Sequence, residues 1–533
     1  MMRITNSMMT ANTKANINTN KVNADKLNTM TASGQKITRP SDDPVVAIRA
    51  MRLNTSLTEL EQYYGKNIPD ADAWFTDTET ALTQTDDVLS SIREKLNQAS
   101  SQENVTSNVK DILEELKQLK DQVYAIGNAD SAGRTVFTGY RTGEMLTFME
   151  QDTIKYEITE KFTKDDLETF KYVKGTASIN DAGQAFIGST VFDGTSDSLT
   201  YNEEKVEEVT AYRIRLSYDN LDKYNSIDIP GISGASPTVK EVSISGKNQK
   251  EIDDIYTPKL GANFIKETGE LILSKDAYDK LIQAGGISIK YEKSDWQKGD
   301  LRPEHYFMCK TPKDATDPRT YSATYPNGIE YNYNRLDPAG NPTTEDVTGG
   351  TIQGFIEQDL SYEIAFNQTI VINTHASDVY SHDIGRDIDE LIKVTQQMVN
   401  AEDKVSKLQN LIDNTTDETE LQKLNVTMGA LNKEAALVKE KMHSMYTSAI
   451  TAFKGYSDDV NKQIANLGAL TARLEMTKNR VKDQKSNVKE LADQNINCDL
   501  SETAIDLKNA ELALEAAQLA AGKIAQQTLL NYI

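Results

Sequence analysis

The sequence predicts an α+β protein: a long α-helical coiled-coil stalk built from both chain ends, with an inserted β-rich domain. Three observations predict it. Apolar residues recur every seven positions over much of the last 80 residues. The first 145 or so residues carry apolar positions at spacings of three and four. Between about 146 and 380 the pattern changes to short alternating runs bounded by Gly, Pro, Asn and Asp. A chain of 533 residues is too long for one ordinary core, so about two to four domains are expected. The two ends share one character, and chain termini often lie close together, so pairing them and inserting the middle is the simplest architecture.

The C-terminal helix carries three interleaved seven-residue series: Ile505, Leu512 and Leu519; Leu507, Leu514 and Ala521; Ala510, Ala517 and Ile524. Together they predict a wide apolar face, with Glu511, Glu515 and Gln518 elsewhere. The preceding segment keeps the same period through Val460, Leu467, Leu474, Val481 and Val488, joined by Leu470 and Leu491. A sustained heptad of this kind is a coiled-coil signature, and continuity from Ser457 to Gln494 would make a rod-like helix.

At the other end, Val109, Ile112, Leu116, Leu119, Val123 and Ile126 fit a helix that Gly127 caps. An earlier helix starts at Pro44, whose missing N–H costs nothing at the first position, with Asp43 as the N-cap. Leu53, Leu57, Leu60 and Tyr64 continue its apolar face. Residues 1–30 show only a thin stripe, Ile4, Met8, Ala11, Ala15 and Val22, among Asn and Thr, which are mediocre helix formers. Alone this segment is expected to be unfolded, and the last helix is the expected partner that covers Ile4, Met8 and Ala15.

In the middle, Tyr212, Ile214 and Leu216 alternate before Asp219-Asn220, Val242 and Ile244 before Gly246, and Ile287, Ile289 and Tyr291 with polar neighbours. Gly183, Gly188, Gly194, Pro230-Gly231 and the run from Asp337 to Pro342 punctuate the region. The expected domains are residues 1–43 with 497–533 as a terminal coiled-coil assembly domain, 44–145 with 350–496 as a helical rod domain, and 146–349 as an inserted β-rich outer domain.

Charge and motifs exclude several function classes. The net charge of −23 argues against nucleic acid as a partner, since that needs clustered Lys and Arg. No run of 18 apolar residues is present, so membrane insertion is not expected, and residues 1–30 lack the apolar core of a cleavable secretory signal. Cys309 and Cys498 show no metal-ligand spacing, and a single bridge between them is left open. There is no HExxH, GxSxG or P-loop sequence, so neither catalytic residues nor a cofactor or metal site is expected. His305, His375, His382 and His443 are read as surface or half-buried residues. Asp42-Asp43 is read as helix capping and Asp86-Asp87 as a solvated face.

Four stretches resemble a known family. They are Met2-Arg3-Ile4-Thr5-Asn6-Ser7-Met8-Met9, the run Ser33-Gly34-Gln35-Lys36-Ile37-Thr38-Arg39-Pro40-Ser41-Asp42-Asp43-Pro44, the segment Gly133-Arg134-Thr135-Val136-Phe137-Thr138-Gly139-Tyr140, and the C-terminal helix with its end Leu529-Leu530-Asn531-Tyr532-Ile533. A weaker match covers Tyr362 to Tyr380. These residues resemble the flagellin superfamily and, within it, the hook–filament junction branch, hook-associated protein 3. The resemblance covers roughly the first 145 and last 180 residues and not the middle. One departure is the stretch from Ala401 to Gly455, long for that branch, which would extend a helical hairpin.

The resemblance implies a structural, non-enzymatic protein of the bacterial flagellum. Subunits would self-associate at the distal end of the hook, touching the first hook-associated protein on one side and flagellin on the other. Family members leave the cell unfolded through the flagellar export channel, and the C-terminal helix is similar to one held by an export chaperone. The implied assembly interface comprises Ile4, Met8, Ala11, Ala15, Val22, Ile505, Leu512, Leu514, Leu519 and Ile524; the family motif comprises Arg39, Pro40, Ser41, Asp42, Asp43 and Pro44. Two other readings stand beside it: a filament flagellin, which usually reads differently after Ile37, and a surface-binding protein or enzyme displayed through the middle domain.

Overall fold

A computed structural model describes residues 6–100, 106–228, 239–309, 331–337, 340 and 359–530. Ile4, Pro230-Gly231, most of the Asp337–Pro342 run and Asn531–Ile533 lie outside the described residues, as does the side chain of Ile524. Long helices from the two chain ends pack along each other, and a β-rich region lies between them in the sequence. The chain forms two compact units, one of residues 1–72, 362–370 and 471–533, the other of residues 73–361 and 371–470.

The first unit contains α1 (Asn6–Ser33), α2 (Pro44–Gln62), a π-helical turn (Tyr63–Asn67) and the start of α3 (Ile68–Ser100). Asp43 caps α2 as expected: its Oδ1 accepts from the N–H groups of Val45 and Val46 at 3.0 and 3.1 Å, with Pro44 at the first helical position.

The second unit holds most of α3, then α4 (Thr106–Ile126) and α7 (His382–Asn414), and the larger part of α8 (Glu418–Ile496). α4 buries Ile112, Leu113, Leu116 and Val123 and packs on α7. It ends where expected, but Gly127 does not take the left-handed conformation of a glycine cap. Packing selects it instead, because an added Cβ would stand 2.5 Å from Leu146 Cδ2. Directly after it, β1 (Asp130–Ser131) and β2 (Arg134–Thr135) form a tight hairpin whose turn residues Ala132 and Gly133 both have positive φ. Phe137 then buries against the Tyr380 ring at 5.1 Å.

The inserted region is β-rich. β3 (Lys155–Thr163), β9 (Lys223–Asp228), β13 (Gly286–Lys293), β14 (Met308–Cys309) and β15 (Tyr331–Leu336) form one sheet in the order β14-β15-β3-β13-β9. β4 (Glu168–Lys174), β8 (Glu207–Arg215), β10 (Val239–Val242), β11 (Ala262–Ile265) and β12 (Glu270–Leu273) form a second, in the order β10-β11-β12-β8-β4. β5 (Ser178–Ile179), β6 (Ala185–Ile187) and β7 (Thr190–Phe192) make a small third sheet. The alternating residues are where the period placed them: Ile287, Ile289 and Tyr291 are buried along β13, and Ile214 and Leu216 at the end of β8. Two short helices, α5 (Gln249–Tyr256) and α6 (Lys275–Ala284), complete the region, and Ile255 and Tyr256 of α5 join Tyr172, Ala211, Ile265 and Ile272 in a core.

The stretch 401–455 is the outer part of the α7–α8 hairpin, and it braces the small sheet. Lys407 pairs with Asp181 in the turn of the small sheet at 2.7 Å, Lys404 ties α7 to Glu434 of α8 at 2.7 Å, and Lys433 donates to the carbonyl of Glu203, beyond the sheet, at 2.7 Å. Arg213 and Arg215 of β8 reach Asp387 and Glu390 of α7, with Glu168 and Glu270 completing a buried ionic cluster.

α8 is one helix of 79 residues, and Val460, Leu467, Leu474 and Val481 are buried along it at seven-residue spacing. Val488 and Leu470 are half-buried, whereas Leu491 is exposed, so the stripe does not extend to that residue. The final part of α8 and α9 (Leu500–Leu530) belong to the first unit. β16 (Ser361–Ala365) and β17 (Gln368–Val371), most of whose residues belong to the same unit, form a hairpin around Asn367, whose φ is 58°; Asn67 Nδ2 donates to the Glu363 carbonyl at 2.7 Å.

Two further expectations are corrected. Asp86 is not on a solvated face: it accepts from Asn461 at 3.1 Å and from the Ser457 hydroxyl. His305 is fully buried, not surface or half-buried, and burial pushes its pKa down to about 4. Cys498 is a free thiol.

Candidate assembly surface

The motif from Ser33 to Pro44 ties the entry of the chain to its exit. α1 stops at Ser33, and Gly34 turns the backbone with φ of 71°. Gln35 then bridges Asn497 in antiparallel fashion, with Lys36 N donating to the Ile496 carbonyl at 2.7 Å and Cys498 N to the Gly34 carbonyl at 3.0 Å. Lys36 Nζ adds a bond to the Gln494 carbonyl at 2.6 Å. Asp42 closes the following turn by accepting from Arg39 N at 2.9 Å and Thr38 N at 3.2 Å. These bonds, the Arg39 N–H first among them, hold its carboxyl below the usual range. On the other strand of the clasp, Asp499 starts α9 by accepting from Ser501 N at 2.8 Å and Glu502 N at 3.2 Å. Apart from the Thr38 hydroxyl, which donates to Asp42 Oδ2 at 3.4 Å, these bonds involve backbone groups, so the run fixes chain geometry.

Held by this clasp, α1 and α9 pack along each other, with Asn20 Nδ2 donating to the Ala513 carbonyl at 3.4 Å. The half-buried positions of α1 are Thr13, Ile17, Asn20, Ala24, Leu27, Met30 and Thr31, which follow helical spacings of three and four along one side. On α9 they are Leu507, Ala510, Leu514, Ala517 and Ala521, with Thr503 fully buried. The expectation that α9 covers Met8 and Ala15 is therefore corrected: Met8, Ala11, Ala15 and Val22 are all exposed. The wide apolar face of α9 also splits. Leu514 is on the half-buried side, while Ile505, Leu512 and Leu519 stand 53–70% exposed. The structure thus brings Leu514 into the helix pair and leaves Met8, Val22, Ile505, Leu512 and Leu519 as apolar side chains open to solvent.

A second exposed stripe was missed in the sequence. Val45, Ile48 and Met51 of α2 are 55–75% exposed, while Ala47 and Ala50 between them are buried. Small alanines on the buried side were the available signal, since a helix that packs closely through Ala leaves its larger residues outside.

Among the described residues no group of three or more His, Cys, Asp or Glu could hold a metal ion, and no helix is long and apolar enough to cross a membrane.

Residues 4–142 match the bacterial flagellin N-terminal helical region. This part of the chain, with the clasp motif and the α4 exit turn, is similar to flagellins. No curated protein sequence is significantly similar to the chain. Among solved structures, the chain is similar to flagellar hook associated protein-3 from Legionella pneumophila, at 11% identity over 83% of this chain and 98% of that one, with a TM-score of 0.28. It is also similar to FlgL from Xanthomonas campestris, at 10% identity over 82% and 99% of the two chains and a TM-score of 0.21.

Proposed function

We propose that this chain is a structural, non-enzymatic component of the bacterial flagellum that polymerises at the distal hook and joins the first hook-associated protein to the flagellin filament. The observation that carries the reading is the exposed Ile505, Leu512 and Leu519 stripe on a helix already paired with α1. A helix pair of this kind has one apolar side satisfied and another left for neighbours. The flagellin match over residues 4–142 supports the flagellar setting, and the Arg39–Pro44 run supports the junction branch. In this reading, residues 1–43 with 497–533 assemble, 44–145 with 350–496 form the helical rod, and 146–349 face outward. The unfolded chain leaves through the flagellar export channel, with α9 held beforehand by an export chaperone, and functions outside the cell.

The test is filament attachment in a strain lacking the gene. Hooks that shed flagellin monomers into the medium, with filaments restored by the gene, support the junction role. Normal filaments without it overturn that role and favour a minor flagellin or a displayed surface-binding protein. At the molecular level, Leu512→Asp with Leu519→Asp leaves the purified monomer helical by circular dichroism and abolishes polymerisation.

A further inference from the structure

The α9 stripe needs a receiving surface, and the first unit carries one with matching chemistry. Val45, Ile48 and Met51 lie at i, i+3 and i+6 on the outer side of α2, with Arg49 and Arg52 exposed between and beside them. Neither arginine forms an ion pair with a described residue, so the face is apolar with two unsatisfied positive charges. Charge sorts the candidates to cover it. The exposed residues of α1, with Met8 and Val22, include Lys14, Lys21 and Lys26 against the single acid Asp25, a balance that would repel the arginines. Met476 of α8 follows Glu475, but Arg473, Lys478, Arg480 and Lys482 lie near it in the chain. The exposed side of α9 is acidic on balance: Glu502 and Asp506 flank Ile505 and Glu515 lies beside Leu512, none with a basic partner among the described residues, while Lys508, one turn from both Ile505 and Leu512, is paired with Glu511 at 3.3 Å.

We infer that the α2 face formed by Val45, Ile48, Met51, Arg49 and Arg52 is the docking site for the α9 stripe of a second copy of this chain. The inference rests on the assembly reading and deepens it by naming the opposing surface. The two patches differ, so the contact is heterologous: each copy offers α9 to one neighbour and α2 to the next, which generates a ring or a helical layer and not a closed pair. The apolar side chains supply the association, and the arginine–carboxylate pairs set which faces meet and in what register.

The test is charge reversal with rescue in the full-length chain, read by light scattering and sedimentation. Arg49→Glu with Arg52→Glu is expected to raise the concentration for half-maximal assembly at least about tenfold, with helicity unchanged. Adding Glu502→Arg and Asp506→Arg to that variant is expected to recover most of the loss. Lys205→Glu with Lys259→Glu, an equal change of net charge on exposed residues of the second unit, should have little effect. If the α2 reversal assembles like the parent while Leu512→Asp with Leu519→Asp does not, the docking site is wrong and the assembly reading stands. If neither set impairs assembly, both fall. A defect that the α9 reversal does not rescue, or that the Lys205 and Lys259 control reproduces, overturns α9 as the occupant of this face.

Discussion

Single side chains set two local properties with measurable signatures. Asp43 satisfies two amides that α2 would otherwise leave open, and an N-cap of this kind contributes about 1 kcal/mol. Asp43→Ala should therefore speed hydrogen exchange at the Val45 and Val46 amides by about fivefold, the factor that energy represents, while Asp43→Asn should nearly preserve it. Glu160 sits fully buried in β3, accepting from the Tyr291 hydroxyl and from Ser217 N and Oγ, and burial pushes its pKa up to about 7. A carboxyl raised above its unfolded value gives stability that is complete below about pH 4.5 and lost as pH rises through about 7, an amount at most on the order of 3 kcal/mol. His305 and His382 act in the opposite sense: burial lowers them to about 4 and about 3, so their contribution is present above about 6.5 and lost as pH falls through those values. Denaturation followed by tryptophan fluorescence reports the second unit, where both Trp74 and Trp296 lie. Glu160→Gln should remove the loss of stability between about pH 5 and 8 and leave the acid limb intact. A variant with the same loss over that range would show that Glu160 is not its source. The Asp43 cap was legible in the sequence from Pro44 beside it, but the two buried groups were not, because nothing in the sequence distinguishes Glu160 or His305 from a surface residue; their burial is decided by neighbours distant in the chain.

Regular elements were legible where one side of the element repeats and illegible where polar residues occupy the packed side. Val460, Leu467, Leu474 and Val481 are all apolar, so the buried line of α8 could be read directly. The packed side of α1 mixes Ile17, Ala24, Leu27 and Met30 with Thr13, Asn20 and Thr31, so no clean apolar line marks it, and Met8, Ala11, Ala15 and Val22 were read as the stripe instead. The division of α9 gives a sharp comparison. Leu514→Asp should raise hydrogen exchange across residues 13–31 of α1, because it places a charge in the helix pair. Leu512→Asp should leave α1 protection unchanged, and equal effects of the two would mean that both sides are core. The outer α7–α8 hairpin offers a separate test. Gly183 has φ of 75°, and a Cβ there would stand 2.6 Å from Leu424 Cδ2 and 3.2 Å from Leu408 Cδ1. Gly183→Val combines backbone strain with overpacking, together about 2–4 kcal/mol, and should open residues 176–200 to limited proteolysis while the first unit keeps its exchange protection.

At the scale of the whole molecule, two electrostatic effects oppose each other during assembly. Each copy carries a net charge of −23, so copies repel at long range, and that repulsion is screened once the Debye length falls to about 10 Å at 0.1 M salt. Any pairing of Arg49 and Arg52 with carboxylates of another copy is weakened by the same salt, but exposed pairs contribute only about 0–1 kcal/mol each. The apolar stripes are indifferent to moderate chloride and are strengthened by sulfate, which is excluded from protein surfaces. If apolar burial drives association and net charge opposes it, the concentration for half-maximal assembly should fall as sodium chloride rises from about 0.01 to 0.15 M, then level off. Sodium sulfate at equal ionic strength should lower it further. Reversal of both arginines takes the net charge from −23 to −27, since each substitution removes one positive and adds one negative charge. That variant should show a steeper fall with salt over the same range, because the repulsion to be screened is larger. Assembly that instead weakens steadily from the lowest salt, with no difference between chloride and sulfate, would place the driving force in ion pairs and leave the Ile505, Leu512 and Leu519 stripe without its proposed part.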